Sequence, residues 1–475
     1  MKILIPDVIS LNQTIARPTY RKCNECNRRR KTYENHQICR ICYKTKTIFK
    51  PSGNKVIDDF IKYTQTNLVK KEGKLEFVPY DRFKNIEFIA EGGFSKIYKA
   101  TWTDGPISNW DDESNTRIHN YTVALKRLND SRNITSKELN ELKVFYNFSL
   151  KWKASRDRFR KMMRTFPYSL NNSRVNKYHM YGFYNYIGKY FGITQDPNTK
   201  DIMIVMPYYS SGDLIHYISN VFYEIYWEEK LRNLVKIIIG LMNIHSVNII
   251  HRDFHSGNIF FDGTKGAVIG DLGISKSATE STDENNENYG IIPYMAPEIF
   301  QGQKYTKASD IYSFGMVMWE LMTGRRPFWD RNHDTDLIID LCDGLRPPIV
   351  TNAPEGYIEL MKECWHSDPQ KRPQATDIYN AINEMFDNEW SNHFRNQKPT
   401  EVTKSPNVGP ITVIHQGAVY KSRPLSGMIQ SAMISIRIIQ LTAITIIVRK
   451  NLNLTLKSYN HEYISKEFEI DINNI

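Results

Sequence analysis

Hydrophobic and polar residues alternate along part of the chain and recur at helical spacing along another part. From Tyr80 onward, short alternating stretches give way to long amphipathic ones, which predicts strands followed by helices in one globular domain. Before this block the chain is polar apart from a helix-like patch at Val56–Ile61. After it, residues 396–410 lack periodicity and contain prolines, as linkers do. These changes predict an N-terminal segment at 1–50, a linker with a short helix at 51–79, a main domain at 80–388 and a C-terminal tail of uncertain structure at 389–475.

Composition narrows the class of protein. The chain has 475 residues, of which 41% are hydrophobic and 24% charged, as in soluble globular proteins and unlike disordered or multi-span membrane chains. The net charge of +11 is spread too evenly to indicate a nucleic-acid surface. Pro6 and Asp7 interrupt the apolar start before it reaches the length of a secretory signal. We therefore expect a cytoplasmic protein in a reducing compartment.

Four of the six cysteines lie close together, as Cys23-x2-Cys26 and Cys39-x2-Cys42. Two such knuckles can bring four thiolates onto one Zn²⁺. The free energy of metal binding would then stabilise this polar segment in place of a hydrophobic core. His36 can substitute for one thiolate. Redox pairs or disulfides remain the alternative, although a reducing compartment disfavours them. The basic run 28–31 can contact phosphates, but without interleaved aromatic residues a structural or protein-docking module is favoured over nucleic-acid binding.

A glycine-rich hairpin precedes the main helical region. Alternating residues on both sides of Gly92 and Gly93 predict two strands joined by a turn with little side-chain bulk, where backbone amides can approach phosphates. Such turns are common and mostly structural, so the interpretation depends on residues further along. The residues of this hairpin that we expect at a nucleotide are Ala90, Glu91, Gly92, Gly93, Phe94, Ser95 and Ile97.

The next strand and helix supply a lysine and a carboxylate. Tyr121–Lys126 is apolar up to its final lysine, and the small Ala124 leaves room for a flat ring. A lysine at the end of a strand is usually an edge residue with its amine in water, unless a carboxylate holds it. In the following helix, Glu141 lies within the apolar series and is the carboxylate that we expect to pair with Lys126.

The segment His251-Arg252-Asp253-Phe254-His255-Ser256-Gly257-Asn258, followed by Asp271-Leu272-Gly273, combines the groups that phosphoryl transfer needs. The reaction requires oxygen ligands for a divalent metal and a carboxylate that aligns the attacking hydroxyl and takes its proton. Asp253, Asn258 and Asp271 provide these groups beside buried strands.

Taken in order, these motifs and Ala296-Pro297-Glu298 resemble those of a eukaryotic protein kinase, closest to the tyrosine-kinase-like group of serine/threonine kinases. The resemblance covers about residues 80–386, and it extends to Ser309–Gly315 and Lys371-Arg372-Pro373. It implies an α+β bilobal fold with a small antiparallel β lobe of five strands and one helix, and a large, mainly helical lobe. It also implies Mg-ATP in the cleft, protein substrates and a role in intracellular signalling.

The resemblance assigns roles residue by residue. Lys126, paired with Glu141, would bind the α- and β-phosphates, Asn258 and Asp271 would hold Mg²⁺, and Asp253 would orient the substrate hydroxyl. In the same family the aspartate of Ser309–Gly315, Asp310, braces the catalytic loop, and Arg372 pairs with Glu298. Backbone groups near Tyr208 would meet adenine between the apolar side chains of Ala90, Ile97, Ala124, Met206 and Phe260.

Several positions depart from the family pattern. Ala90 and Ser95 replace glycines, His255 stands where serine/threonine kinases carry a lysine, and Ile291 replaces a threonine that bonds the catalytic aspartate. Two alternatives to a serine/threonine kinase follow: a pseudokinase that binds nucleotide as a scaffold, and a dual-specificity or tyrosine kinase. Because the lysine, the base and the metal aspartate are all kept, catalysis is the favoured reading.

Three further segments carry hypotheses. Six hydroxyl residues within 275–289, after Asp271, indicate an activation segment that an upstream kinase would phosphorylate, with Arg252 receiving the phosphate. The basic insertion at 151–177 either docks an acidic partner or is simply solvated. The isoleucine-rich stretch 428–448 contains Arg437, which disfavours a membrane span, and strands or an aggregation-prone tail are the alternatives. The six hydroxyl residues are Ser275, Ser277, Thr279, Ser281, Thr282 and Tyr289.

Overall fold

A computed structural model gives the conformation of the chain and describes residues 20–31, 37–67, 74–93, 95–108, 110, 116–132, 139–151, 186–262, 266–277, 288–394 and 400–438. These residues divide into two compact units. The first unit holds the described residues up to 151 together with 188–208, and the second holds 186–187 and everything from 209 onward. The first is built on a β-sheet and the second is mainly helical, which agrees with the two lobes that the sequence predicts.

The first unit is organised around a six-stranded sheet in the order β3-β7-β8-β6-β5-β4. All neighbouring strands are antiparallel except β3 and β7. Its core contains Trp102, Val123, Leu125 and Val205, because alternate residues of each strand face the same side. The strands are β3 (Glu76–Phe77), β4 (Phe83–Glu91), β5 (Ser95–Trp102), β6 (Tyr121–Leu128), β7 (Gly192–Gln195) and β8 (Ile202–Pro207), and β1 (Tyr20–Lys22) pairs separately with β2 (Arg29–Lys31).

The sheet has one strand more than the five implied by the resemblance, because β3 adds to its edge beside β7. A Cβ at Gly192 would lie 1.8 Å from the carbonyl oxygen of Glu76, so only glycine permits this close approach. The amide of Gln65 donates to the carbonyl oxygen of Leu75 over 2.8 Å, which ties the preceding helix to the added strand.

Among its described residues, the first unit also contains three α-helices. They are α1 (Arg40–Ile48), α2 (Lys55–Asn67) and α3, residues 140–151. Helix α2 covers the helix-like patch of the sequence and buries Ile57 and Ile61 completely. Its Tyr63 ring lies 5.4 Å from that of Tyr146 on α3, so α2 packs directly against the helix that carries Glu141.

The second unit contains two long helices whose residues are mostly buried. The longer of the two, Trp227–Ser246, contacts Tyr357 through an edge-on ring pair at 4.8 Å. The other begins at a capping box of Thr306 and Ser309, and Gly324 ends it in the left-handed conformation. The helices are α4 (Leu214–Val221), α5 (Trp227–Ser246), α6 (Pro297–Phe300), α7 (Lys307–Thr323), α8 (Thr335–Cys342), α9 (Tyr357–Cys364), α10 (Ala375–Phe394) and α11, residues 426–438.

Short strands lie between these helices, and the loops next to them carry Asp253 and Asp271. Antiparallel pairs join β9 to β12, β10 to β11 and β13 to β14. No helix in the described part of the chain combines the length and the apolar composition that crossing a bilayer requires. The strands are β9 (Ile249–Ile250), β10 (Ile259–Asp262), β11 (Gly266–Ile269), β12 (Lys276–Ser277), β13 (Tyr289–Gly290) and β14 (Arg423–Pro424).

The described part of the tail, residues 400–438, packs against other parts of the second unit. Arg325 donates to the carbonyl oxygen of Gly409 over 2.9 Å, and Leu425 and Ile429 are buried. The start of the isoleucine-rich stretch therefore lies in a helix, α11, and not in a strand. Residues 439–448 of that stretch lie outside the described residues.

Candidate active site

Lys126 and Glu141 form a buried ion pair in the first unit. Lys126 lies on β6, which is hydrogen-bonded to a strand on each side, and its Nζ is 2.9 Å from Oε2 of Glu141 on α3. The Tyr190 hydroxyl donates to the other carboxylate oxygen, Oε1, over 2.8 Å. The two side chains are only 11% and 5% exposed, so each charge depends on the other for compensation. The pairing that the sequence predicts is present.

The glycine-rich hairpin closes beside this pair within the same sheet. Glu91 pairs with Lys96 across β4 and β5, and the Gly92 amide donates to the Ser95 carbonyl over 2.8 Å. A Cβ at Gly92 would meet nothing nearer than Ser95 at 3.6 Å, so packing alone does not demand glycine there. Gly92 and Gly93 are exposed, and Phe94 lies outside the described residues.

The apolar residues expected around adenine come together on neighbouring strands of the first unit. Ala90 pairs with Ile97 across β4 and β5, and Ala124 pairs with Met206 across β6 and β8. Tyr208 follows β8 directly, and Lys99 Nζ lies 5.2 Å from the centre of its ring. Phe260, the remaining residue of the expected set, belongs to the second unit, where it stacks on Tyr209 at 5.4 Å.

In the second unit, a loop after β9 carries Asp253 and is held by one buried carboxylate. Asp310 accepts hydrogen bonds from the backbone amides of His251 and Arg252, at 2.8 and 2.9 Å, and lies 2.8 Å from the His245 ring. Arg252 has a φ of 72°, a strained value for a non-glycine residue. Asp310 thus fixes the backbone on the N-terminal side of Asp253, as the resemblance implies.

The Asp253 carboxylate has two polar neighbours. Its Oδ2 accepts a hydrogen bond from the Ser422 hydroxyl over 2.7 Å, and its Oδ1 lies 3.7 Å from Nε2 of His255. Burial by itself raises the pKa of this carboxyl, but the charge and hydrogen bond of His255, with the Ser422 hydroxyl, bring the pKa to about 2. Asp253 is therefore ionised at neutral pH and can accept a proton.

Asn258 and Asp271 are connected to the same loop. The Asn258 amide nitrogen donates to the Asp253 carbonyl over 2.9 Å, and the Gly270 amide donates to the Asn258 carbonyl over 2.8 Å. A Cβ at Gly270 would lie 2.7 Å from the Phe260 ring, so glycine is required before Asp271. Asp271 itself has a φ of 52°. Two carboxylates and one amide are thus presented by adjoining loops of the second unit.

Comparison with known proteins agrees with this arrangement. Residues 179–382, which contain both loops, match the family model described as protein tyrosine and serine/threonine kinase. Over these residues the chain is similar to protein kinases of the eukaryotic type.

Relatives that carry kinase names match this chain over part of its length. A protein of Acanthamoeba polyphaga mimivirus named "Putative serine/threonine-protein kinase/receptor" is 34% identical over 188 residues, which is 39% of this chain and 11% of the relative. A Dictyostelium discoideum protein named "Probable serine/threonine-protein kinase" is 36% identical over 32% of this chain and 16% of its own length. "Stress-activated protein kinase alpha" of the same organism is 31% identical over 41% of this chain. The chain spans 32% of that relative, so all three are covered only in part.

Two further polar clusters lie within the second unit. Arg372 forms a bidentate pair with Glu298, with both N–O distances at 2.7 Å, as the resemblance implies. Glu320 accepts hydrogen bonds from the hydroxyls of Tyr294 and Ser256, at 2.6 and 2.9 Å. Ser256 lies on the same loop as Asp253, so its hydrogen bond to the buried Glu320 carboxyl helps to hold that loop in place.

The four N-terminal cysteines converge in the first unit. Sγ of Cys23, Cys26, Cys39 and Cys42 all lie within 4.8 Å of one another, and three of the four residues are buried. Burial alone raises the pKa of the Cys23 thiol, but amide groups of Cys26, Cys39 and Glu25 point at the sulfur and lower it to about 6. None of the six cysteines, all of which the structure describes, is in a disulfide.

The sequence did not reveal Tyr190 or Ser422, although each contacts a predicted site residue. No local pattern marks either, because each lies far along the chain from its partner. His36, most of the basic insertion, Thr279, Ser281 and Thr282 lie outside the described residues. Among the other activation-segment hydroxyls, Ser275 is completely buried and donates to the His251 carbonyl, so it is poorly placed to be phosphorylated.

Proposed function

We propose that the chain is an ATP-dependent protein kinase that transfers the γ-phosphate of Mg-ATP to serine and threonine hydroxyls of protein substrates. The observation that carries the proposal is the buried Lys126–Glu141 ion pair. In protein kinases this pair has to be formed before the lysine can hold the phosphates. Here the Tyr190 hydroxyl also holds the Glu141 carboxylate. The Lys126 amine is therefore in position before a nucleotide binds.

Asp253 is the base in this proposal. A substrate hydroxyl donates to its carboxylate, which orients the oxygen towards the γ-phosphate and takes the proton during transfer. The low pKa of the carboxyl keeps it ionised, and the bonds from Asp310 to the loop backbone limit its movement. His255 occupies the place of the usual lysine and sets part of the charge around the carboxylate.

Asn258 and Asp271 are the residues that would hold Mg²⁺. Oxygen donors are the ligands that this ion prefers, and Asn258 keeps its side-chain oxygen for the purpose because its nitrogen donates to the Asp253 carbonyl. When bound, Mg²⁺ would neutralise negative charge on the phosphates. Asp271 has a left-handed backbone, with a φ of 52°, and its Oδ1 accepts a hydrogen bond from the Gly273 amide over 3.2 Å.

Serine/threonine specificity and membership of the tyrosine-kinase-like group are both part of the proposal. Support for the specificity comes from relatives named serine/threonine-protein kinases and from the hydrogen bond that Asp253 accepts from a serine hydroxyl. The rival is a scaffold that binds nucleotide without transferring phosphate. It is disfavoured because the lysine, the base and the metal-binding carboxylate are all present.

A transfer assay separates the enzyme from the scaffold. The full chain is incubated with Mg²⁺, γ-labelled ATP and a generic protein substrate, followed by phosphoamino-acid analysis. We expect label on serine or threonine, and a loss of about 100-fold or more in Asp271→Ala. The exposed Asp343→Ala is the matched control and should keep full activity. Nucleotide binding without any transfer by the unchanged chain would establish the scaffold instead.

We also propose that the four clustered cysteines bind Zn²⁺. Thiolates at mutual distances below 4.8 Å suit a tetrahedral ion, and the amides around Cys23 favour the ionised sulfur. Arg30 donates to the carbonyl oxygen of Thr66 on α2, over 3.2 Å from each of two nitrogens, so the module attaches to the first unit. In this proposal the module positions the kinase domain. The protein works in the cytoplasm, where free thiols persist.

A phosphorylated activation segment, modified by an upstream kinase in a signalling pathway, completes the proposal. Arg252 is the residue that would receive the phosphate. Its Nε is buried without a hydrogen-bond partner among the described residues, and its guanidinium lies 4.6 Å from the centre of the Tyr305 ring. A phosphate would provide the missing acceptor.

A further inference from the structure

The tail brings a hydroxyl to the catalytic carboxylate. Ser422 lies 169 residues after Asp253 in sequence, yet its Oγ donates to Oδ2 of Asp253 over 2.7 Å. The other serine hydroxyls of this region, such as those of Ser256 and Ser313, are buried and bond to supporting groups. Ser422 is half-buried, and its partner is the carboxylate that the proposed reaction uses as base.

The backbone around Ser422 pairs with the segment that precedes Ile291. In β14, Arg423 and Pro424 run antiparallel to Gly290 and Tyr289 of β13. The Leu425 amide donates to the Asn288 carbonyl over 2.8 Å, which continues the ladder. An extended peptide that adds to an exposed strand in this way is a common mode of peptide recognition.

Side chains fix the register of the tail. His333 joins the tail to the rest of the second unit. Its Nε2 donates to the Phe328 carbonyl over 3.0 Å, and its Nδ1 accepts from the Val419 amide over 3.1 Å. Tyr420 packs edge-on against the His333 ring at 4.8 Å, and Arg423 donates to the His333 carbonyl over 2.6 Å. Ser422 is therefore held between two anchored neighbours and is not free to slide past Asp253.

We propose that residues 417–426 occupy the peptide-substrate site and that Ser422 is phosphorylated by the active site of its own chain. The inference rests on the proposed kinase function and identifies its first substrate as a serine within a basic, extended segment. Lys421 and Arg423 flank the acceptor, so the favoured class of external substrate is a basic serine peptide.

The reaction balances with ATP as the only co-reactant. The Ser422 oxygen forms a bond to the γ-phosphorus, and the bond from that phosphorus to the β–γ bridging oxygen breaks. ADP leaves with the electron pair, and the hydroxyl proton passes to Oδ2 of Asp253. The new phosphate carries a charge of roughly −2 beside the Asp253 carboxylate, so repulsion favours release of the tail after transfer.

The test follows phosphate on the full chain by mass spectrometry after incubation with Mg-ATP. We expect Ser422 to be modified with a rate constant that does not change when the protein is diluted, because acceptor and base belong to one molecule. Ser422→Ala should lose this phosphate completely. Ser431→Ala, an exposed serine on α11, is the matched control and should keep it.

A parallel assay with an external serine peptide keeps the two claims apart. Transfer to the peptide by the unchanged chain and by Ser422→Ala, together with dilution-independent phosphate on Ser422 in the unchanged chain, supports the inference. Transfer to the peptide with Ser422 unmodified, or modified at a rate that falls on dilution, overturns the inference and leaves the proposed function intact. Transfer to neither acceptor overturns both.

Discussion

At the scale of single residues, Glu320 shows how burial changes the chemistry of a carboxyl group. One oxygen accepts hydrogen bonds from Tyr294 and Ser256, and the other, Oε2, has no hydrogen-bond partner among the described residues. Burial raises the pKa of Glu320 to about 7, although those hydrogen bonds oppose the increase. The folded protein therefore keeps a proton on Glu320 at pH values where the unfolded chain has lost it.

This pKa predicts how stability depends on pH. Between the ordinary pKa of 4.5 and about 7 the folded state binds more protons than the unfolded state, so its stability falls as pH rises through this window. Glu320→Gln cannot ionise and removes the fall. We expect the variant to gain up to about 3 kcal/mol relative to the unchanged chain between pH 4 and pH 8.

Urea unfolding at the two pH values measures this difference. Glu363→Gln, at an exposed position, is the control and should show no such gain. An identical effect of Glu320→Gln at both pH values would show that the carboxyl is not protonated in the fold.

Residues of the candidate active site could be predicted from the sequence where they belong to short motifs. Asp253, Asn258 and Asp271 follow from spacing within one loop and the next strand pair, because the chemistry needs them close together. The Lys126–Glu141 pair required an added argument, that a buried lysine needs a carboxylate. Ser422 could not be predicted, since its contact with Asp253 depends on the path of the whole tail.

At the scale of secondary-structure elements, alternation and amphipathicity predicted the sheet and the long helices correctly in kind. They did not predict β3, which has two residues and depends on the missing side chain of Gly192. They also left the tail unassigned. Isoleucine and threonine favour strands locally, but burial of Leu425, Ile429 and Ala432 against the second unit stabilises a helix there.

The N-terminal cysteine module is the element whose stability we expect to depend on a ligand. Its core contains the four cysteines and little else that is apolar, so we expect metal binding to supply most of its folding free energy. We predict about one zinc ion per chain by elemental analysis. Cys23→Ser should lose the ion and increase amide hydrogen exchange across residues 20–48, with transfer activity measured separately.

Cys342→Ser provides the matched control, because Cys342 lies in α8 far along the chain from the cluster. It should retain the zinc and the slow exchange. A chain that purifies without zinc, and whose residues 20–48 exchange slowly all the same, would show that the cysteines pack without a metal.

At the scale of the whole molecule, each of the two units supplies part of the proposed chemistry. The first contributes Lys126 with Glu141, and the second contributes Asp253, Asn258 and Asp271. The family match begins at residue 179, so the second unit carries most of the likeness to known kinases. Lys126 lies outside the matched residues, so its contact with the nucleotide is the most informative feature to test.

The most direct test is a crystal structure of the full chain with Mg²⁺ and a non-hydrolysable ATP analogue. We predict that Lys126 Nζ contacts the α- or β-phosphate and that oxygens of Asn258 and Asp271 ligate the metal. We also predict that the Asp253 carboxylate faces the γ-phosphate. A nucleotide bound without Lys126, or a metal held without Asp271, would contradict the central claim that these side chains act together on one Mg-ATP.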